Sequence, residues 1–228
     1  MVFAAELVKQ RDGEGCPPSG NLNKRTLRGS LRLPSQETVQ VCHALLLDPK
    51  FFQLLLRIDE ELAAEVHAGR CECGGVLHRA NYPRKPRACL KEVRSDFASR
   101  FSFCCADCRK RKTSTSVRFL GRRVYLALAV VLCSARHAGQ NTAATRVASD
   151  LAVPVRTLRR WRQWWTELLP RTPLWQACCA RFMPPVASDL FPGGLLERFA
   201  GDAAERLMRL LVFLSPLTAT TVTVPEGR

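Results

Sequence analysis

The sequence predicts a mainly α fold with a small β ribbon, followed by a three-helix module of the helix-turn-helix type and a C-terminal helix. Three observations predict this class. Apolar residues recur at helical spacing on both sides of a central region that lacks that period, two close pairs of cysteines lie in the central region, and the excess positive charge is confined to the middle of the chain.

Charge is distributed unevenly over the 228 residues. Residues 70–171 hold 22 Lys and Arg against 6 Asp and Glu, whereas residues 1–69 hold 8 against 9 and residues 172–228 hold 5 against 5. The net charge of +15 is therefore carried by the middle of the chain. Positive charge concentrated in this way favours a polyanionic partner such as nucleic acid over a surface that is merely kept soluble.

The N-terminal third divides into two parts. Residues 1–30 are rich in Gly, Pro, Asn and charge and show no apolar period, which predicts a disordered lead-in. Residues 31–69 predict a helical pair, whose second helix starts at Asp48 followed by proline and is ended by Gly69. The acidic run at residues 59–61 of this helix is expected to face mostly outward. Its apolar stripe consists of Phe51, Leu55, Ile58, Leu62 and Val66.

Residues 70–121 predict the ribbon, because no helical period persists there and short β-like pieces appear instead. Between the first two pieces lies a basic loop with Arg84, Lys85 and Arg87, and its two prolines are expected to stiffen the backbone so that the three cations are presented to a partner. The β-like pieces are residues 76–82, 101–105 and 116–120.

Two close pairs of cysteines identify this ribbon as a zinc ribbon. A tetrahedral zinc ion takes four thiolates offered as two chelating pairs, and a glycine after the first pair allows the tight turn that such a loop needs. We therefore expect one structural Zn²⁺ per chain, with Cys104 and His78 as alternative ligands because the first pair is unusually tight and the second has an adjacent thiol. The predicted ligands are Cys71, Cys73, Cys105 and Cys108.

Cations follow the second cysteine pair directly. Arg109 and Arg111 would help to balance the negative charge of four metal-bound thiolates, and they could also contact phosphate. The remaining cysteines show no metal-like pairing and no secretory signal precedes them, so we expect them to be incidental thiols and not disulfides. They are Cys16, Cys42, Cys89, Cys133, Cys178 and Cys179.

Residues 122–170 predict the helix-turn-helix. Ala148 is the small residue that two crossing helices require, and the turn is expected at residues 152–154. Because Trp161 lies on the inner face, we expect it, Trp164 and Trp165 to pack in the core and not to stack on bases. The inner positions are Val147, Leu151, Val153, Leu158 and Trp161. The predicted DNA contacts on the outer side of the second helix are Arg156, Thr157, Arg159, Arg160 and Gln163.

Residues 171–228 predict a linker punctuated by prolines and then a C-terminal helix at about residues 195–214. A wide apolar stripe runs along this helix, and it could form the face of a homodimer. The stripe consists of Leu196, Phe199, Ala203, Leu207, Leu210, Leu211 and Leu214.

Several stretches carry a resemblance to a known family: Cys-x-Cys-Gly-Gly-x-Leu-His at 71–78, Asn-Tyr-Pro-Arg-Lys-Pro-Arg at 81–87, Phe-Cys-Cys-x-x-Cys-Arg at 103–109, residues 116–125 and the helix-turn-helix. The central region resembles the zinc-ribbon and helix-turn-helix front end of bacterial insertion-element transposases. It is especially similar to small transposase-like proteins that lack the nuclease domain. The resemblance covers less than half of the chain, and it implies that the four paired cysteines bind metal and that Arg156, Arg159 and Arg160 contact DNA.

The expected partner is duplex DNA, with no membrane and no small-molecule substrate. The chain is not expected to be an enzyme, because the few carboxylates after the helix-turn-helix do not suggest a catalytic metal site and no other catalytic motif is found. A cytoplasmic, nucleoid-associated location is expected. Two alternatives stay open: an RNA-associated zinc-ribbon protein, and a regulator or protein-interaction module with no role at a mobile element.

Overall fold

The computed structural model describes residues 44–86, 88–120, 149 and 153–219. Within these ranges about half of the residues are helical and a small antiparallel sheet is present, which is compatible with the coarse fold class predicted above. The predicted lead-in at residues 1–30, most of the first helix of the pair, and most of the first two helices of the helix-turn-helix module lie outside the described residues.

The first complete helix, α1, runs from Pro49 to Ala68. The Asp48 carboxylate accepts a hydrogen bond of 2.9 Å from the backbone N–H of Lys50, and proline occupies the first turn, where a missing N–H costs nothing. At the other end the backbone N–H of Gly69 donates to the carbonyl of Glu65. Both predicted ends of this helix are confirmed.

The orientation of Asp59 on α1 differs from the prediction. Glu60 and Glu61 are exposed as expected, but Asp59 is fully buried. Its carboxylate accepts hydrogen bonds from Arg118 Nε at 2.6 Å and from the backbone N–H of Val117 at 2.7 Å. Asp59 therefore joins the middle of α1 to the segment that leaves the ribbon.

The described residues contain five short strands: β1 (Leu77–Arg79), β2 (Tyr82–Pro83), β3 (Ser99–Arg100), β4 (Ser102–Cys105) and β5 (Arg111–Thr113). They form two antiparallel sheets with the orders β1-β4-β5 and β2-β3, and Cys105 pairs with Leu77 across β4 and β1. The predicted strand at residues 76–82 is interrupted at Ala80 and Asn81, and the Asn81 side-chain oxygen accepts a hydrogen bond from the Ser102 backbone N–H.

The predicted strand at residues 116–120 is absent from the structure. Its backbone N–H groups bond to side chains instead of a neighbouring strand: Val117 donates to Asp59, while Arg118 and Phe119 donate to the hydroxyl of Ser116. The third strand of the main sheet is β5, which follows the second cysteine pair and was not predicted.

Residues 153–219 form a succession of short helices. A π-helical turn at Trp164–Leu168 continues the first of them, and 3-10 turns at Leu169–Arg171, Cys179–Arg181, Ser188–Leu190 and Ser215–Thr218 connect or extend the others. The helices are α2 (Val155–Gln163), α3 (Pro173–Cys178), α4 (Gly193–Leu196) and α5 (Ala203–Leu214).

The predicted helix over residues 195–214 is broken in two. Gly201 has a φ of +106°, and a capping box between Asp202 and Glu205 starts α5 afresh. The apolar stripe that was considered as a possible dimer face packs inside the chain, since its four leucines on α5 have no exposed surface. A homodimer through this helix would need a different face. The four are Leu207, Leu210, Leu211 and Leu214.

Among the described residues, buried apolar side chains form two clusters. The larger joins the start of α1, residues 88–97, residues 117–120 and the C-terminal helices. The smaller consists of four buried residues between the end of α1 and the main sheet: Ala63, Leu77, Phe103 and Cys105. The ribbon therefore rests on the C-terminal end of α1, and its long loop belongs to the larger core. No helix in the described ranges is both long and apolar enough to cross a bilayer.

Candidate metal centre and nucleic-acid interface

Four cysteines from two distant parts of the ribbon converge on one point. Their sulfur atoms all lie within 4.8 Å of one another. The Sγ atoms of Cys71 and Cys108 are 3.6 Å apart, and those of Cys73 and Cys105 are 3.5 Å apart. A metal ion bound tetrahedrally by four thiolates at about 2.3 Å separates the sulfurs by about 3.8 Å. The four cysteines therefore could bind one metal ion.

The first pair sits on a tight turn. The Gly74 backbone N–H donates to the Cys71 carbonyl at 2.8 Å, and the Cys71 N–H donates to the carbonyl of Gly75 at 3.0 Å. Gly74 has a φ of +87°, a conformation that residues with a Cβ rarely adopt. Only one residue separates Cys71 from Cys73, and this turn nevertheless brings both sulfurs into the group.

Gly75 lacks a side chain at a position where the first turn packs closely against the second cysteine pair. A Cβ at this position would lie 2.4 Å from a carboxylate oxygen of Asp107 and 2.6 Å from Cys105 Sγ. The backbone of the first turn thus lies directly against the second cysteine pair. The absence of a side chain at Gly75 lets the two halves of the site approach each other.

The second pair sits on a turn at the end of β4. The Cys105 N–H donates to the Lys110 carbonyl at 3.0 Å, and the Ala106 N–H donates to the carbonyl of Val76 at 2.9 Å. The turn passes through Arg109 at a φ of +60°, a left-handed conformation in a residue other than glycine. Main-chain bonds between the two halves therefore hold Cys105 and Cys108 opposite the first turn.

Neither alternative ligand belongs to the sulfur group, and strand geometry explains why. Successive side chains of a strand point to opposite faces of the sheet, so Cys104 faces away from Cys105. His78 pairs with Cys104 in the register of β1 and β4, which puts both on the outer face. The thiol of Cys104 lies 3.5 Å from the carbonyl oxygen of Arg109.

The pKa of the Cys108 thiol lies above its ordinary value. The backbone N–H of Lys110 lowers this pKa, but hydrogen bonding with the Cys73 sulfur, desolvation, and the sulfurs of Cys71 and Cys105 outweigh it and raise the pKa to about 12. A cation bound beside Cys108 would favour its thiolate form.

The other described cysteines have different surroundings. Burial raises the pKa of the Cys89 thiol to about 12, and this residue is part of the larger core. Cys178 is a free, half-buried thiol. Cys179 is disulfide-bonded, which corrects the expectation that it is an incidental thiol. The expectations for Cys16, Cys42 and Cys133 fall outside the described residues.

Helix α2 exposes most of the residues that were predicted to contact DNA. Arg156, Arg159, Arg160 and Gln163 are exposed, and their spacing of three and four residues puts them on one face. Thr157 is half-buried at the edge of that face. The amide of Gln163 donates to the carboxylate of Glu167 at 2.9 Å.

The opposite face of α2 packs into the larger core. Trp161 and Trp165 are almost completely buried, and Trp164 makes an edge-to-face contact with Trp165 at 5.0 Å between ring centroids. The tryptophans therefore pack in the core, as predicted. Val153 is buried and Leu158 is half-buried, whereas the predicted inner residues Val147 and Leu151, with Ala148 and the start of the turn, lie outside the described residues.

The basic residues predicted on the ribbon lie on its loop and beside the turn that carries Cys105 and Cys108. Lys85, Arg109 and Arg111 are exposed and Arg84 is half-buried, while Arg87 lies outside the described residues. Sequence reasoning missed Tyr82, over whose ring the guanidinium groups of Arg84 and Arg111 both lie. The signal that could have found it is an aromatic residue two positions before a cation in a proline-stiffened loop.

Comparison of the chain with models of protein families, with curated proteins and with solved structures finds no match.

Proposed function

We propose that the chain is a DNA-binding protein of the transposase-like, mobile-element-derived kind, which contacts duplex DNA through helix α2 and through a ribbon stabilised by zinc. The observation that carries the proposal is the two-sided character of α2. Three arginines and a glutamine are exposed on one face, and two tryptophans bury the other face in the core.

The chemistry of the four-cysteine group favours zinc. Four thiolates in a tetrahedral arrangement are typical of structural zinc and of iron–sulfur sites, and four protein ligands leave no position open for a reactive water. Cys71, Cys73, Cys105 and Cys108 would hold the ion. Its contribution is to join two turns of a ribbon whose own apolar cluster has four buried residues.

Helix α2 has the composition that a major-groove helix needs. Four of its nine residues are arginines and none is acidic. The major groove of B-DNA admits one α-helix, and an arginine there can donate two hydrogen bonds to guanine. With the aromatic face anchored in the core, the helix can enter a groove as a rigid element.

The ribbon would add contacts to phosphate. Residues 70–120 hold 13 Lys and Arg against 4 Asp and Glu. A surface of this charge attracts duplex DNA at any sequence, because each neutralised phosphate releases condensed counterions. Phosphate contacts set register and orientation, while α2 would supply the reading of bases.

The test measures the affinity of the full chain for labelled duplex DNA. Fluorescence anisotropy of the DNA gives this affinity over a range of salt concentrations. We expect Arg159→Ala with Arg160→Ala to weaken binding and to reduce the discrimination between sequences by about 1–3 kcal/mol per lost base contact. The melting temperature should stay within a few degrees of the parent, because both side chains are exposed.

Arg162→Ala is the matched control, since Arg162 has the same charge on the same helix but lies to the side of the arginine face. It should leave the preference for one duplex sequence over another unchanged.

Tighter binding to structured RNA than to any duplex would favour the RNA-associated alternative. Elemental analysis should find about one zinc per chain, and iron in its place would overturn the choice of metal.

A further inference from the structure

Two arginines from different parts of the ribbon meet over one aromatic ring. The Cζ atom of Arg84, on the basic loop, lies 5.0 Å from the centroid of the Tyr82 ring. That of Arg111, on β5, lies 5.7 Å from the same centroid. Both separations are within the range of a cation–π interaction, so one ring lies beside two positive charges.

The guanidinium of Arg111 is positioned by hydrogen bonds as well as by the Tyr82 ring. Its Nη1 donates to the Ala80 carbonyl at 2.7 Å and contacts the Ser102 hydroxyl at 3.4 Å. These partners use one nitrogen, and no salt bridge to Arg111 occurs within the described ranges. Its remaining N–H groups can therefore be offered to a ligand without loss of the contacts that orient them.

The backbone under the ring is also fixed. Tyr82 pairs with Arg100 across β2 and β3, and the Arg84 N–H donates to the Ala98 carbonyl at 2.6 Å. The Arg100 side chain is buried, and its guanidinium donates hydrogen bonds to the carbonyls of Ser114 and Thr115.

Positive charge is crowded at this place. Burial lowers the pKa of Arg100, and the charges of Arg118 and Arg84 lower it further, while Asp59 and Tyr82 act in the opposite direction. The carboxylate of Asp59 is already paired with Arg118. An anion bound on the exposed side of the ribbon would be attracted by these guanidinium groups.

The geometry points to a phosphate clamp formed by Arg84 and Arg111, in which Tyr82 is a positioning residue and a phosphodiester of duplex DNA is the ligand. This inference rests on the proposed function and adds a contact that is separate from α2. A guanidinium offers parallel N–H donors that match two phosphate oxygens. Tyr82 is half-buried and carries two cations over its ring, which favours phosphate over a stacked base.

Single-site variants test the clamp against mixed-sequence duplex DNA. Arg111→Ala and Arg84→Ala should each lower the slope of log affinity against log salt by about 1, at every duplex sequence alike. Tyr82→Ala should weaken binding although it removes no charge, and Tyr82→Phe should restore it because the ring remains. Metal content and melting temperature, measured on each variant, separate a lost clamp from a damaged ribbon.

Lys91→Ala is the matched control, because Lys91 is exposed on the same part of the chain and the variant loses the same charge. If it changes the salt slope as much as Arg111→Ala does, the effect belongs to overall charge and the clamp is wrong. If clamp variants bind as the parent does while Arg159→Ala with Arg160→Ala binds weakly, the clamp fails and the proposed function stands.

A second measurement decides the case in which no duplex binds. The chain has two tyrosines, so ¹³C-tyrosine labelling gives two sets of ring signals, and Tyr82→Phe assigns them. Titration with dimethyl phosphate should shift the Tyr82 signals in the parent and not in Arg111→Ala. The absence of a shift in the parent would overturn the clamp whatever the fate of the proposed function.

Discussion

Asp59 shows how much one residue can depend on partners that are distant in sequence. It lies four residues after Leu55 and four before Ala63, on the buried side of α1, so its spacing places it among apolar residues. Its partner Arg118 is also fully buried, with its guanidinium about 5 Å from the ring centroids of Phe97, Phe101 and Phe119. A carboxylate in such a position is tolerated because it is both paired and hydrogen-bonded.

We predict that Asp59→Ala lowers the free energy of unfolding by about 3–5 kcal/mol, since it leaves the charge of Arg118 buried and uncompensated. Chemical denaturation measures the loss. Glu60→Ala, at the exposed neighbouring position, should change stability by no more than about 0.5 kcal/mol. Equal effects of the two variants would contradict the buried pair, and Asp59→Leu with Arg118→Met should recover part of the loss.

At the scale of elements, the metal centre depends on how two turns pack together. Each turn is short, and main-chain hydrogen bonds such as that from Ala106 to Val76 join one to the other. The closest contact is at Gly75, against Asp107 and Cys105. The position of all four sulfurs is therefore sensitive to a single added methyl group.

We predict that Gly75→Ala weakens metal retention by about 1–3 kcal/mol, the usual cost of overpacking, or about 5- to 150-fold in affinity. Competition against a chromogenic chelator measures it. Gly69→Ala is the control: Gly69 has an ordinary φ of −73° and the nearest atom to an added Cβ is 3.5 Å away. Similar losses in both variants would show that the close approach at Gly75 is unimportant.

At the scale of the whole molecule, the ribbon and the larger core differ in what holds them. The sheet carries a cluster of four buried residues, whereas residues 88–97 and 117–120 are packed with the C-terminal helices. The predicted ribbon at 70–121 thus divides into a part that holds the four-cysteine group and a part that packs in the larger core.

Removal of the metal should unfold the sheet before the core. After treatment with a strong chelator, we expect the amide protons of β1, β4 and β5 to lose protection from hydrogen exchange while those of α5 keep it. Cys108→Ser should give the same pattern without a chelator. Simultaneous loss of protection in α5 would mean that the metal supports the entire described fold.

The sequence by itself determined the features that depend on neighbours along the chain. The ends of α1 follow from Asp48, Pro49 and Gly69, and the buried face of α2 follows from tryptophans at helical spacing. The two close pairs of cysteines could be recognised in the sequence as candidate metal ligands, because two ligands that share a turn must be close in sequence. These interactions are local, so no knowledge of the remaining fold is needed to recognise them.

Only the tertiary structure decided the features that depend on contacts across the chain. Strand register turned Cys104 and His78 away from the sulfur group, the burial of Arg118 drew Asp59 inward, and the fold brought Arg111 to the ring of Tyr82. The break between α4 and α5 was signalled locally by Gly201 and Asp202. Whether the leucines after it face the core or a partner could not be decided locally, because their burial depends on the whole core. Each of these features depends on contacts between residues that are far apart in sequence. The spacing of residues along one segment does not specify such contacts.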